Sequence, residues 1–116
     1  MKESILYNIS YKFSLKALDI GQELEKLGLK FIANQISKSA TSIAANVSES
    51  MHSESTNDFI HKLKIASKEA NETTYWLNVI RDKEYLELNK ELFDNVLSIQ
   101  KILSKSISTA KKNASH

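Results

Sequence analysis

Residues 39–77, SATSIAANVSESMHSESTNDFIHKLKIASKEANETTYWL, decide the fold of this chain. Apolar residues recur every three or four positions before and after a polar segment, residues 51–56, and this spacing puts an apolar face on each of two helices. Ser53 or Ser55 is a suitable N-cap for the second of them, and Asp58 favours its first turn. The stretch therefore predicts a helical hairpin with the stripes Ala40, Ile43, Val47 and Phe59, Leu63, Ala66, Ala70, Thr73, Leu77.

The hairpin can be given an expected register. With the turn centred near residue 53, the numbers of facing residues in an antiparallel hairpin sum to roughly 106. Val47 then lies near Phe59, and Ile36 lies near Ala70. In this register large side chains meet near the turn and small ones meet further along, which supports the pairing.

The same periodicity extends over the rest of the chain. It predicts four helices, at residues 4–27, 30–50, 56–81 and 86–111, within a single domain, residues 1–116. Gly28 follows the last periodic residue of the first helix and predicts its end, and the many small residues at 37–45 allow a neighbouring helix to approach closely. Short connections between such helices favour an all-α, antiparallel, up-down-up-down four-helix bundle with crossing angles of about 20°.

Composition excludes several classes of protein. The 116 residues include no cysteine, which excludes disulfides and thiolate metal sites. No apolar run approaches the roughly 20 residues of a membrane span, so neither a membrane nor a signal peptide is expected and a cytoplasmic location is predicted. The net charge of +2 permits a nucleic-acid partner without favouring one.

No catalytic constellation is present. The serines lack a glycine-flanked elbow and no glycine-rich phosphate loop occurs, so no enzyme activity, cofactor or small-molecule substrate is expected. Two carboxylate-x-x-His pairs, Glu49 with His52 and Asp58 with His61, resemble metal ligands. Both pairs flank one turn, and the apolar stripes of helices one and four offer no carboxylate to complete a di-iron site. A solvated turn is the favoured interpretation, and no metal is predicted.

The strings SATSIAANVSES, residues 39–50, and DFIHKLKIASKEANETTYWLNVIRD, residues 58–82, closely resemble the bacterial four-helix bundle protein family. Its founding members are encoded by intervening sequences within genes for large-subunit ribosomal RNA, and the resemblance covers residues 35–86. It implies a protomer of a ring-like homo-oligomer, typically a pentamer, without established activity. A related group, the accessory proteins of diversity-generating retroelements, is more basic than this chain and contacts a reverse transcriptase and nucleic acid. This chain has Lys38 and Ala44 where relatives often have Arg and Gly or Pro.

Polar residues flank the central stripes. The resemblance marks Asn46, Glu49 and Glu72 as matching the family pattern, and the expected register brings Gln35 and Lys38 near Glu72. These residues are candidates for a polar network at a subunit or ligand interface. The alternative is a set of solvated or hydrogen-bonded flank positions that determine register.

Large apolar residues also lie off the main stripes. Trp76, Ile65 and Phe93 are candidate subunit-interface residues, because exposed aromatic residues are enriched at interfaces. The alternative for Trp76 is an edge of the core that another helix covers.

Lysines recur one helical turn apart on two helices. Lys64 and Lys68 on the third helix, and Lys101 and Lys105 on the fourth, are candidates for phosphate contacts. The alternative is a solvated helix face. The predicted function is a non-enzymatic, homo-oligomeric helical scaffold. The alternative is an accessory protein that binds RNA or DNA weakly, as a partner of a reverse transcriptase or of ribosomal RNA.

Overall fold

The computed structural model describes residues 2–114, with side chains from residue 5 onward. These residues form four helices, α1 (Lys2–Lys26), α2 (Lys30–Ser50), α3 (Thr56–Asp82) and α4 (Lys90–Ala114). No strand occurs within residues 2–114, so the predicted all-α class is confirmed. None of the described helices combines the length and the apolarity that crossing a bilayer requires.

Helix ends follow local side-chain chemistry. The Ser55 hydroxyl accepts a hydrogen bond from the Asp58 backbone N–H at 3.0 Å, so Ser55 is the N-cap of α3. Gly28 has φ 79°, and the Leu29 N–H donates to the Leu24 carbonyl at 2.9 Å. This left-handed glycine ends α1 as predicted, because it turns the chain so that the last carbonyls of the helix find donors.

Helix α4 begins later than the expected start near residue 86. The connection from α3 contains Glu84 with φ 55°, a left-handed backbone that interrupts the helix. The Asn89 side-chain oxygen accepts a hydrogen bond from the Glu91 N–H at 2.9 Å. An asparagine that binds the first free N–H groups is a helix start signal, so Lys90 is the first helical residue.

The core consists of the predicted stripes. Each helix buries the residues spaced three and four apart, and most of these side chains are almost fully inaccessible. Leu27 is the exception, at 55% exposed, because it lies beyond the last residue of α1. The core cluster includes Leu6, Phe13, Ala17, Leu24, Ile36, Ala40, Ile43, Val47, Leu63, Ala66, Ala70, Leu77, Ile80, Leu92, Val96, Ile99 and Leu103.

Helix α2 packs extensively against both α1 and α3, whereas α1 and α4 form the least extensive of the four helix pairs. A Cβ at Gly21 of α1 would overlap the Ser37 hydroxyl of α2 and approach the Ala33 carbonyl. The close α1–α2 approach that the small residues of α2 predicted is therefore present, with glycine on the opposing helix.

The α2–α3 register differs from the expected one. Thr73 Oγ1 lies 2.9 Å from Ser39 Oγ, and Lys62 Nζ lies 3.2 Å from Glu49 Oε1. The expected register put residues 67 and 57 in those places, so the partners on α3 lie six and five residues further along. Residues 51–55, with an extended Ser55, carry the chain past the end of α2 before α3 begins.

Candidate interaction surface on the second and third helices

One side of the α2–α3 pair faces away from α1 and α4, and we call it the outer α2–α3 face. Helical spacing aligns a row of residues on each helix, and contacts across the pair join the two rows. Phe31 meets Trp76 at one end, and Glu49 meets Lys62 at the other. The face comprises Phe31, Gln35, Lys38, Ser42, Asn46 and Glu49 of α2 and Lys62, Ile65, Glu69, Glu72, Tyr75 and Trp76 of α3.

An aromatic cluster occupies one end of the outer α2–α3 face. The ring centroids of Phe31 and Trp76 lie 5.9 Å apart and those of Tyr75 and Trp76 lie 4.9 Å apart, both edge to face. Phe31 is 65% and Tyr75 58% exposed, whereas Trp76 is half-buried beneath them. Edge-to-face pairs are favourable, but the outer surfaces of Phe31 and Tyr75 remain in water.

The indole of Trp76 carries a buried polar atom. Its Nε1 is inaccessible to solvent and has no hydrogen-bond partner among the described residues. A buried donor without an acceptor costs about 1–3 kcal/mol. The position of Trp76 is therefore maintained by its aromatic contacts and by its packing against the core.

Charged groups occupy the middle of the outer α2–α3 face. Partial burial, and then the neighbouring Glu72 carboxylate, raise the pKa of Glu69 above its ordinary value of 4.5. The ammonium groups of Lys38 and Lys68 act in the opposite direction and do not cancel the shift. Lys38 thus lies within electrostatic reach of this acidic pair, which joins the two helices by charge.

The turn end of the face is polar. Asn46 is half-buried and donates its side-chain N–H to the Ser42 carbonyl of its own helix at 2.8 Å. Glu49 is paired with Lys62. No group of three or more His, Asp or Glu side chains in the described part of the chain is placed to hold a metal ion. Nothing in this geometry joins His52 and His61 into a site with Glu49 and Asp58.

The structure brings most of the predicted site residues together. Gln35, Asn46, Glu49, Ile65, Glu72 and Trp76 all lie on the outer α2–α3 face, where Gln35 and Ile65 are half-buried and Glu49 and Glu72 are exposed. Phe93 lies elsewhere, at the seam of α3 and α4, with the Arg81 guanidinium 5.2 Å from its ring centroid. That cation–π contact gives Phe93 a role within the subunit.

The predicted phosphate-contact residues lie on other surfaces. Lys64 and Lys68 are exposed on α3, and Lys101 and Lys105 are exposed on α4. Each pair spans one turn of its helix, as the sequence spacing required.

Sequence reasoning missed two apolar features. Phe31 was not singled out, although it lies beside the stripe of α2 on the same flank as Gln35. Helix α1 also carries an exposed row, which we call the α1 ridge and which consists of Tyr11, Leu15 and Leu18, at 47%, 45% and 39% exposed. Tyr7 stacks on Tyr11 with centroids 5.9 Å apart. The four- and three-residue spacing of Tyr7, Tyr11, Leu15 and Leu18 is a second apolar stripe that could have revealed the ridge.

Comparisons with known proteins agree on the kind of fold. A family model described as 23S rRNA-intervening sequence protein matches residues 2–108. A similar crystal structure is that of a protein with unknown function from the S23 ribosomal protein family of Bacteroides thetaiotaomicron VPI-5482. The two proteins are 34% identical with a TM-score of 0.87, over 93% of this chain and 99% of that one. No curated protein sequence matches the chain. The similarity therefore spans both chains and indicates no catalytic activity.

Proposed function

This chain belongs to the 23S rRNA-intervening sequence protein family, and from that membership we propose that it acts as a non-enzymatic, homo-oligomeric helical scaffold. The outer α2–α3 face is its main assembly surface. The observation that carries this proposal is the exposure of Phe31 and Tyr75 around the half-buried Trp76. Aromatic residues surrounded by charged ones are typical of the cores and rims of protein interfaces.

The proposal includes an antiparallel, up-down-up-down arrangement of the four helices. Pairs across α2 and α3 support it, because the earlier residue Ser39 meets the later residue Thr73 and the later residue Glu49 meets the earlier residue Lys62. Contacts of Asn71 with Gln100 and of Arg81 with Phe93 support the same relation between α3 and α4.

The assembly we propose is a ring. A ring of identical subunits needs two different surfaces that fit each other, since each subunit contacts its two neighbours through opposite sides. The chain has two exposed apolar surfaces, the aromatic end of the outer α2–α3 face and the α1 ridge. We assign these as the two sides of the contact, and the number of five subunits comes from the family resemblance alone.

Native mass spectrometry together with light scattering on the full chain tests the scaffold. The expected result is a single species with the mass of five subunits. The variant Phe31→Ser should weaken assembly at least about tenfold, because a central aromatic residue often dominates an interface. Its helical circular dichroism should not change, since Phe31 is 65% exposed and contributes little to the core.

The matched control is Leu97→Ser, which removes an apolar side chain that is 49% exposed on α4, outside both surfaces. It should leave the assembly intact. A wild-type chain that remains a monomer at high concentration would refute the scaffold. Equal weakening by both variants would mean that general surface apolarity, rather than the aromatic cluster, drives association.

A second candidate function is the binding of RNA or DNA, as an accessory to a reverse transcriptase or to ribosomal RNA. The observation that favours it is the charge of the last third of α4. Lys101, Lys105, Lys111 and Lys112 lie there, and no Asp or Glu follows Asp94. A ring would repeat this basic segment in every subunit, and repetition strengthens weak contacts. A cytoplasmic location is part of both candidate functions.

Salt-dependent binding to a structured RNA distinguishes the two candidates. Phosphate contacts release counterions, so the logarithm of the binding constant should fall linearly with the logarithm of salt concentration. Replacing Lys101 and Lys105 together by Gln should flatten this slope by about two contacts. Binding that does not depend on salt, or a slope that the double variant leaves unchanged, would exclude these lysines as the contacts.

A further inference from the structure

A cavity of about 370 Å³ opens at one end of the molecule. Residues from the beginnings of α1 and α3 and from the ends of α2 and α4 line it. Its volume falls within the range of about 300–1,000 Å³ that small-molecule sites occupy. The lining shares no residue with the outer α2–α3 face, so the cavity is independent of the proposed assembly surface.

The inner wall of the cavity is apolar. Leu6, Val47 and Leu63, each at most 3% exposed, form its floor, and Phe59 and Ile102 form its sides. The hydroxyl of Ser50 is also at the floor, but it donates to the Val47 carbonyl at 2.6 Å. The floor therefore offers no free polar group, and only an aliphatic or aromatic moiety fits there without loss of hydrogen bonds.

The mouth of the cavity is polar and carries one kind of charge. Ser106, Thr109 and Asn113 lie along it, and Lys105 contributes an ammonium group. Among the described residues that line the cavity, none is acidic. An anionic group at the mouth would therefore meet a cation and hydroxyl donors and no opposing carboxylate.

The cavity exists because α1 and α4 separate toward this end. Lys16 of α1 pairs with Glu91 near the start of α4 at 2.8 Å. The two helices form the least extensively packed pair of the four. At the other end, where α1 begins and α4 ends, Ile5 is 58% exposed at the cavity edge. An apolar wall left open to water gains free energy when an apolar ligand covers it.

We propose that this cavity binds an aliphatic carboxylate of medium chain length. The alkyl chain lies against Leu6, Val47 and Leu63, and the carboxylate lies at the mouth beside the Lys105 ammonium. A linear chain suits the cavity because it is apolar along its length and charged at one end, which matches the distribution of groups in the lining.

Isothermal titration calorimetry with decanoate, on the full chain, tests the proposal. Decanoate should bind, and decyltrimethylammonium, with the same chain length and the opposite charge, should bind at least about tenfold more weakly. Lys105→Gln should weaken decanoate binding about tenfold, since hydrogen bonds to charged groups contribute most of the headgroup affinity. The matched control, Lys101→Gln, removes a lysine one turn away that does not line the cavity and should change nothing.

A blocking variant locates the site. Ala110 is half-buried in the lining, and Ala110→Phe should abolish decanoate binding while the helical circular dichroism is retained. If that variant unfolds, the decanoate-induced shifts of amide resonances in the wild-type chain must centre on residues around Val47, Leu63 and Ile102. Shifts centred elsewhere, no decanoate binding, or equal effects of the two lysine variants would overturn the proposal.

Discussion

At the residue scale, a buried pair of hydroxyls joins α2 to α3 inside an otherwise apolar core. Thr73 and Ser39 are at most 1% exposed, and their hydroxyl oxygens lie 2.9 Å apart. Each also has a partner in its own helix, because Thr73 Oγ1 lies 2.8 Å from the Glu69 carbonyl and Ser39 donates to the Ile36 carbonyl at 3.4 Å. A polar pair satisfied in this way favours one register between two helices whose apolar stripes would tolerate others.

The variant Thr73→Val tests that role. Valine has nearly the shape of threonine, so the loss is that of the interhelical hydrogen bond, and the free energy of unfolding should fall by about 1 kcal/mol. Thr74→Val is the matched control, because Thr74 is only half-buried and bonds only to the Ala70 carbonyl of its own helix. Urea titration of both variants measures the difference, and equal losses would assign the effect to the helix backbone.

The raised pKa of Glu69 predicts a pH dependence of stability. The unfolded chain releases this proton near 4.5, the ordinary value, and the folded chain releases it at higher pH. Between these two pKa values the folded state binds more protons, so the free energy of unfolding falls as the pH rises through the window just above 4.5.

Glu69→Gln should remove this contribution. The variant should gain stability relative to the wild type as the pH rises through that window, in urea titrations between pH 4 and 7. Glu54→Gln, in the exposed turn, is the control for the loss of a surface carboxylate. Parallel pH profiles of the wild type and Glu69→Gln would contradict the prediction.

At the scale of the elements, single residues decide where helices begin and end. Ser55 and Asn89 each place a side-chain oxygen on a free N–H group of the following helix. Gly28 and Glu84 end the preceding helices with left-handed backbone conformations. The apolar stripes extend across regions that are not helical, so these local signals, rather than periodicity, determine the helix bounds.

Asn89→Ala should destabilise the start of α4. The loss of an N-cap costs about 1 kcal/mol, and Asn89→Ser, which retains an acceptor, should recover most of it. Urea titration measures both variants, and amide exchange of residues 90–92 reports whether the first turn opens. An alanine variant as stable as the serine variant would show that packing alone sets the start of α4.

At the scale of the whole molecule, a ring contact between the outer α2–α3 face and the α1 ridge makes a prediction about mixtures. Phe31→Glu blocks the first surface and leaves the second intact, and Leu15→Glu does the reverse. Each variant alone should remain a monomer, because each contact then contains one blocked surface.

Mixing the two variants should produce a heterodimer, since the intact outer α2–α3 face of Leu15→Glu can meet the intact α1 ridge of Phe31→Glu. Native mass spectrometry with one isotopically labelled variant distinguishes this heterodimer from homodimers. Failure of the mixture to associate, or assembly of either variant alone, would exclude the head-to-tail contact between these two surfaces.

The sequence by itself determined the four apolar stripes, the helical class, the Gly28 stop and the family. Each of these depends on residues within a few positions of one another, and the 3.6-residue period states which side of each helix is buried. That is why Ile43, Leu63 and Val96 were assigned to the core correctly.

Only the tertiary structure decided how far each helix is displaced along its neighbour. Periodicity is unchanged when one helix slides by one or two turns, so it could not distinguish Thr73 from residue 67 as the partner of Ser39. The same freedom hid the meeting of Phe31 with Trp76 and the separation of α1 from α4 that opens the cavity. Axial displacement is determined by side-chain packing between residues distant in sequence, which local pattern does not encode.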